Sequence, residues 1–492
     1  MPDRHILRID SRVPWISASA LLIALMLGIS ILLSPTYIPF LLFGLLVVAI
    51  TIVEKPETAL FPLALTAPLI HVFIGFGRHP GVEIIFDRYN LLIVDAFSLI
   101  AVIAIILGRI TGAVEPLRRH NFDLPILLLT SYATISLLWT RDFSPGLTVL
   151  MQFFSCIALF YAPVILLRGK KYFRVFLWIW LAVGIAAAVM AIITLYVKFH
   201  SITLMWFKYY FETYAVDFKY AVFGNIKQRV GGFGDPNRVA FLLNTAFFSG
   251  LVLFLTAESR AKKIAIGTIM FFILYTIMHT LSKGGIGSLI MAMTGYILLH
   301  KRFEGKVLNA LAIFGIVIVS AFLLMSMIDL HGELGRFGQS PIESRGSSSL
   351  NLRFKWWAAD LKAIVATNGL GTGIGGMSQN IWAYAQSSYF SLLAELGFIG
   401  FLLAAWFALT YAVELFSLLK SIRGDNFHFT VGLMCVAAVV VFLIHSTVDF
   451  GFNLRIPWLM AGVAVAAAEA GKRALETDDG RKLRSPPLDN GF

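Results

Sequence analysis

The sequence is poor in charged residues. Only 14% of its 492 residues are Asp, Glu, Lys or Arg, against about 25% in soluble domains, whereas 58% are hydrophobic. A soluble chain of this length could not bury so much apolar surface, so soluble enzymes and nucleic-acid-binding proteins are excluded. The composition therefore predicts a membrane protein with several transmembrane helices.

Cysteine is almost absent as well. Cys156 and Cys435 both lie inside apolar runs, where a small side chain packs without needing a partner. This placement favours neither a disulfide nor a metal site, and we expect no metal and no cofactor. The apolar run at 15–34 follows a basic start, as in a secretory signal, but it is too long for a signal core, and we expect a retained helix.

Long apolar runs dominate the rest of the chain. A spanning helix needs about 20 largely apolar residues. Fourteen candidates meet this requirement, at 15–34, 36–53, 58–77, 91–110, 122–140, 146–167, 173–197, 239–257, 264–281, 284–300, 307–328, 391–416, 428–446 and 456–470. We therefore predict an all-α, polytopic bundle of about 12–14 spans over residues 1–471, followed by a disordered cytoplasmic tail at 472–492.

The positions of the basic residues predict the orientation. If the N-terminus is cytoplasmic, 24 of the 40 Lys and Arg residues fall on the cytoplasmic side. Eleven of the other 16 lie in two long external segments, 198–238 and 329–390, so the short external turns carry few. This asymmetry supports an even number of spans with both termini in the cytoplasm.

The external segment 329–390 contains an apolar helical spacing, formed by Phe354, Trp357, Ala358, Leu361, Ile364 and Val365. The polar residues Arg353, Lys355, Asp360 and Lys362 mostly fall on other faces of that helix. Such a helix could lie in the lipid headgroup layer or pack on the top of the bundle, and the sequence leaves both open. The segment 198–238 is similarly rich in aromatic residues and is also expected to hold a short interfacial helix.

The stretch 227–240 places Arg229 before a glycine turn and the start of a predicted span, with Asn237, a further candidate contact to the substrate, just ahead of that span. A helix N-terminus points its free N–H groups outward, and together with an arginine it suits a phosphate. The alternative is a glycine turn with an arginine that only sets topology. Lys283, in the very short turn of 281–288, must snorkel or meet a negative partner.

Two further segments, 385–400 and 445–458, carry acidic and histidine side chains at a membrane edge. Glu395 lies one to two turns into a span. His445 and Asp449 are four residues apart, so they share a face if the helix continues. Asp449 could then orient His445 to accept a proton from a sugar hydroxyl, although structural capping competes with this reading. The glycine run 369–376 does not follow a strand, and we expect a flexible turn that reaches toward the bundle.

In this order, the motifs resemble those of the O-antigen ligase and polymerase superfamily of bacterial envelopes. They are RVGGFGDPN, SKGG, RFKWWAA, GTGIG, SYFSLLAELGFIG and HSTVDF, and the resemblance covers roughly residues 170–470. It implies a metal-independent membrane glycosyltransferase of the GT-C type. Members take a glycan from undecaprenyl diphosphate on the periplasmic side and transfer it to lipid A–core, a growing polysaccharide or protein.

The resemblance also implies roles for individual residues. Arg229 would contact the lipid diphosphate, Lys283 would supply charge where ligases typically have arginine, and Arg353 matches the arginine of the external helix. Gln386 stands where many ligases carry the histidine thought to activate the acceptor. Glutamine cannot act as a general base, so the resemblance favours a polymerase over a ligase.

We therefore expect an envelope polysaccharide polymerase in the bacterial inner membrane, with His445, Asp449 and Glu395 as catalytic residues. Its partners would be the undecaprenyl-diphosphate-linked donor, a glycan or lipid A–core acceptor, membrane lipids and a chain-length regulator, with no nucleic acid. An O-antigen ligase is the alternative within this class. A transporter or flippase is the alternative from another class, although the gathering of basic groups at one face favours surface chemistry.

Overall fold

The computed structural model describes residues 52, 55–73, 93–115, 118–196, 219–222, 225–228, 236–299, 345–377, 387–447 and 454–482. The helices in these ranges are α1 (Leu60–Phe73), α2 (Ile93–Ile110), α3 (Asp123–Ile135), α4 (Phe143–Leu166), α5 (Lys170–Tyr196), α6 (Pro236–Thr256), α7 (Arg260–His279), α8 (Lys283–Leu299), α9 (Arg345–Ala366), α10 (Ser388–Ser421), α11 (Asn426–His445) and α12 (Arg455–Lys482). One short antiparallel hairpin joins β1 (Lys219–Val222) to β2 (Asn225–Gln228).

The predicted all-α, multi-pass architecture is confirmed. Within the described ranges, six helices are long and apolar enough to cross a membrane: α4, Lys170–Ile192 of α5, α6, α7, α10 and α11. The candidate spans at 15–34, 36–53 and 307–328 lie wholly or almost wholly outside the described residues. Every other candidate corresponds to a helix. The hairpin falls within 198–238, where the sequence had predicted a short helix and no strand.

Helix α12 lies in the centre of the bundle and packs against α4 and α11. Its middle is made mostly of alanine and valine, and these small residues let neighbouring helices approach closely. A side chain at Gly462 would collide with the carbonyl oxygen of Phe160 in α4. Close backbone packing therefore fixes the position of α12 in the core.

The start of α12 is joined to α2 by a buried ion pair. Arg455 Nη2 lies 2.9 Å from Asp95 Oδ2, and a second hydrogen bond of 3.1 Å reaches Oδ1. Asp95 is an ionisable residue inside the predicted span at 91–110. The pairing gives it a structural role, because a buried carboxylate is stabilised when a cation and hydrogen bonds compensate its charge.

The predicted boundary at residue 471 is wrong for 472–482, because α12 continues to Lys482. Leu475 packs against the main hydrophobic core, and Arg473 Nη2 lies 3.2 Å from Glu469 Oε2 one turn earlier. An apolar contact and an (i, i+4) ion pair therefore extend the helix past the apolar span. Residues 483–492 lie outside the described part of the chain.

Helix α9 packs on the bundle through only part of the predicted apolar face, together with a residue predicted to lie outside it. Trp357 stacks on Phe390 of α10 with ring centroids 5.1 Å apart, and Ile364 is buried. Asp360 is 0% exposed, whereas Leu361 and Val365 are 49% and 76% exposed. The side of α9 that faces the bundle thus includes the carboxyl group of Asp360, and part of the apolar face points outward.

Candidate functional site

Four of the predicted motifs meet at one end of the bundle. Ser282 Oγ, in the turn before α8, donates a hydrogen bond of 2.9 Å to Asn237 Oδ1 in the first turn of α6. The backbone N–H of Ser388, at the start of α10, donates to the carbonyl oxygen of Ser446, just after α11. We call this region, formed by Asn237, Ser282, Ser388, His445 and Ser446, the motif end.

One aromatic contact connects the two hydrogen-bonded pairs. Phe241, one turn into α6, lies 6.1 Å from Phe442, near the end of α11, measured between ring centroids. The start of α6 and the end of α11 are therefore neighbours. The segments around 237, 282, 388 and 446 consequently lie together at one end of the bundle.

The turn between α7 and α8 is as short as predicted, since α7 ends at His279 and α8 begins at Lys283. Leu281 has a φ of 50°, which is strained for a residue with a side chain. Ser282 Oγ accepts the N–H of Gly285 at 3.1 Å and thereby caps α8. The backbone of Lys283 thus lies beside Asn237, while its side chain is outside what the structure describes.

Helix α10 is broken at Gly397, which has a φ of 64° and a ψ of −166°. The break releases the carbonyl oxygens of Ala394 and Glu395 from their helical partners. They accept hydrogen bonds of 2.9 Å from the N–H groups of Thr372 and Gly373 instead. The N–H of Phe398 beyond the break donates to Gly369, also at 2.9 Å. The glycine run therefore docks into the gap in α10.

The glycine run reaches the bundle as expected, but many contacts hold it in place, where a flexible turn was expected. Ile374 donates its N–H to Ser136 Oγ and accepts from Thr140 Oγ1, each at 3.0 Å. Gly371 has a φ of 80°, and a Cβ there would lie 2.5 Å from the carbonyl oxygen of Glu395. Only glycine fits this conformation and this close approach.

Glu395 is 2% exposed, and its Oε2 accepts the N–H of Gly375 at 2.9 Å. The carboxylate thus anchors the glycine run to α10. This contact gives Glu395 a structural function next to the motif end, and its predicted catalytic role stays a prediction.

Sequence reasoning missed Asp360. Neither of its carboxylate oxygens has a hydrogen-bond partner in the part of the chain that the structure describes. Burial raises the pKa of Asp360 to about 7, and its charge acts on Glu395 across the interface of α9 with α10. Its spacing could have predicted this burial. Asp360 lies three residues after Trp357 and four before Ile364, which puts all three on one helical face.

His445 is the last residue of α11 and is 1% exposed. Because the helix ends there, the (i, i+4) spacing that would put Asp449 on the same face does not apply. Asp449, Arg229 and Gln386 lie outside the described residues. Arg353 belongs to α9 by its backbone, and its side chain is not described.

The fold defines a multi-pass helical membrane protein with a polar end built from separate parts of the sequence. Among the residues that the structure describes, no three His, Cys, Asp or Glu side chains are grouped as a metal site requires. No family model and no curated protein matches the chain.

Proposed function

We propose that the protein is a bacterial envelope polysaccharide polymerase. It would transfer a glycan from an undecaprenyl-diphosphate-linked donor to a glycan acceptor on the periplasmic side of the inner membrane. The observation that supports this most is the hydrogen bond between Ser282 and Asn237, because it joins two motifs 45 residues apart whose basic neighbours are Lys283 and Arg229. The motif resemblance supplies the substrate class.

Glycosyl transfer from a diphosphate-linked donor requires positive charge near the departing diphosphate. Cations held in a partly dehydrated site stabilise such a leaving group strongly. Arg229, Lys283 and Arg353 are the residues we assign to this task, with Asn237 as a polar contact to the substrate. The N-terminus of α8 adds backbone N–H groups that favour an anion at the same place.

A proton acceptor for the acceptor hydroxyl is the second requirement. We assign it to His445, since Gln386 occupies the usual position of the histidine and cannot accept the proton. Replacing His445 with glutamine should abolish polymer formation in cells while the protein stays in the membrane. Unchanged polymer length and yield would reject this assignment.

Asp360 is the competing proton acceptor, because its carboxyl group is buried and its oxygens have no partner among the described residues. The two assignments differ in the pH profile. If Asp360 accepts the proton, the rate rises as pH increases through about 7, and Asp360→Asn removes that rise. If His445 accepts it, Asp360→Asn leaves the profile unchanged.

Reconstitution tests the function itself. Purified protein in liposomes is given a synthetic undecaprenyl-diphosphate glycan, and the products are separated by size. Lipid-linked chains of several repeat units support a polymerase. Product that forms only when lipid A–core is added identifies the ligase alternative. Movement of intact donor across the bilayer without a new glycosidic bond identifies a flippase and rejects the proposal.

A further inference from the structure

A polar cavity of about 460 Å³ lies at the opposite end of the bundle from the motif end. The first residues of α5 and α11, the last residues of α6 and one turn of α12 line it. Because α5, α6 and α11 are all long and apolar enough to span a membrane, their common end lies where the hydrocarbon gives way to lipid headgroups. The length of α6 separates this cavity from the motif end by about 30 Å.

Two cations are held together in this cavity. Lys170 and Arg174 are one turn apart on α5, and both are exposed. Lys170 Nζ lies 5.4 Å from the centroid of the Phe427 ring, and the guanidinium carbon of Arg174 lies 5.6 Å from it. Like charges at this helical spacing repel each other, while the shared aromatic ring attracts both. An anion between the two cations would remove the repulsion.

The acidic side chain in the cavity, Asp425, is hydrogen-bonded to the first residues of its own helix, α11. Its Oδ1 accepts the N–H groups of Phe427 and His428 at 3.0 and 3.2 Å, and its Oδ2 lies 2.6 Å from His428 Nδ1. Burial alone would raise the pKa of Asp425, but the hydrogen bonds and charge of His428, with a contribution from Lys170, lower it. Asp425 thus compensates only part of the positive charge that the cavity presents.

We propose that this cavity binds a phosphate group through Lys170 and Arg174. The planar guanidinium of Arg174 suits two phosphate oxygens at once, and the ammonium of Lys170 adds a point charge. At the level of the headgroups, the phosphate comes from an anionic phospholipid. Free inorganic phosphate is the other source of the same chemistry. The site does not depend on glycosyl transfer at the motif end.

The experiment uses the full chain, purified in an uncharged sugar detergent. Thermal unfolding is followed while phosphatidylglycerol, phosphatidylcholine or inorganic phosphate is added, and native mass spectrometry counts the lipids retained. We expect phosphatidylglycerol to raise the melting temperature and to be retained, with a smaller effect of phosphatidylcholine. A rise with inorganic phosphate alone would identify a free anion as the source. No rise with any addition, or equal rises with both lipids, would overturn the proposal.

The charge-neutral variant Lys170→Gln/Arg174→Gln should bind phosphatidylglycerol about thirtyfold more weakly. The matched control is Lys262→Gln/Lys263→Gln, two exposed cations at the start of α7 and the same end of the bundle, which should keep the full response. If the double glutamine variant does not fold, Phe427→Leu keeps both charges but removes the ring, and it should also weaken binding. An unchanged response in the folded variants would contradict the assignment.

Discussion

Arg455 and Asp95 form a buried ion pair in which the guanidinium donates two hydrogen bonds to one carboxylate oxygen and one to the other. Both side chains are 7% exposed. The pair ties the first residue of α12 to the first turn of α2, so it holds the central helix at the level of the motif end.

Removing one partner of this pair should be costly. Arg455→Met leaves the Asp95 carboxylate buried without its cation, and we expect a loss of about 3–5 kcal/mol of stability. The double variant Asp95→Asn/Arg455→Met should recover part of that loss. The control is Arg168→Met, which breaks a more exposed pair with Glu115 and should cost less than about 1 kcal/mol. Equal losses in thermal unfolding would contradict the prediction.

Gly397→Ala tests the break in α10. Alanine disfavours a φ of 64°, at a cost of roughly 1–3 kcal/mol, and its Cβ would collide with the backbone of Gly369 and Leu370. We expect a strongly lowered melting temperature and faster proteolysis of the glycine run. Gly287→Ala in α8 is the matched control, since a Cβ there has nothing within 4 Å. The Gly287→Ala variant should be more stable than the wild type by about 0.5–1 kcal/mol.

Ser282→Ala tests whether Ser282 contributes to activity in addition to capping α8. Loss of the cap on α8 should cost about 1 kcal/mol, and loss of the hydrogen bond to Asn237 should slow product formation in the reconstituted assay. Ser259 caps α7 at the other end of the bundle by accepting the N–H of Lys262. Ser259→Ala should therefore lower stability by a similar amount with unchanged activity. A similar loss of activity in both variants would mean that capping alone matters.

Asp360 predicts a specific dependence of stability on pH. Its folded pKa, about 7, is above the unfolded value of about 3.9, so the folded state binds the proton more tightly. The contribution of Asp360 to stability is complete below pH 4 and is lost as pH rises to 7. In Asp360→Asn, unfolding measured between pH 4 and 7 should show a smaller decline. An identical slope would contradict this.

Asp425 predicts the opposite dependence of stability on pH. Its folded pKa is below the ordinary value, so it stabilises the protein above about pH 4, and that stabilisation is lost as the pH falls further. Asp425→Asn removes this acid-sensitive contribution, together with part of the cap on α11. The difference in melting temperature between wild type and variant should therefore shrink below pH 4. A constant difference down to pH 2 would exclude the titration of Asp425 as its source.

The sequence was sufficient for the features that depend on neighbouring residues. Apolar runs of the right length predicted each span that the structure describes. Helix α6 begins at Pro236, three residues before the predicted span at 239–257, because proline is favoured in the first helical turn. The shortness of the turn before Lys283 also followed from the distance between two apolar runs.

The features that were missed depend on long-range packing. The docking of Thr372 against Ala394 requires a broken helix and a glycine loop to meet, and neither segment alone predicts it. The side of α9 that faces the bundle was misjudged because hydropathy placed Asp360 outside, whereas the stacking of Trp357 on Phe390 turns it inward. Leu475 similarly extends α12 through a contact that the polar composition of the tail obscured.

The break at Gly397 also bears on how α10 lies in the bilayer. The part after the break, residues 398–421, is roughly 36 Å long, which alone exceeds the hydrocarbon thickness of about 30 Å. The part before the break, residues 388–396, is therefore not needed to cross the membrane. Glu395 and the docked glycine run, which lie before the break, therefore need not lie within the hydrocarbon. For the polymerase proposed above, a lipid-linked donor would then reach the motif end sideways from the bilayer, without leaving the depth at which its own diphosphate lies.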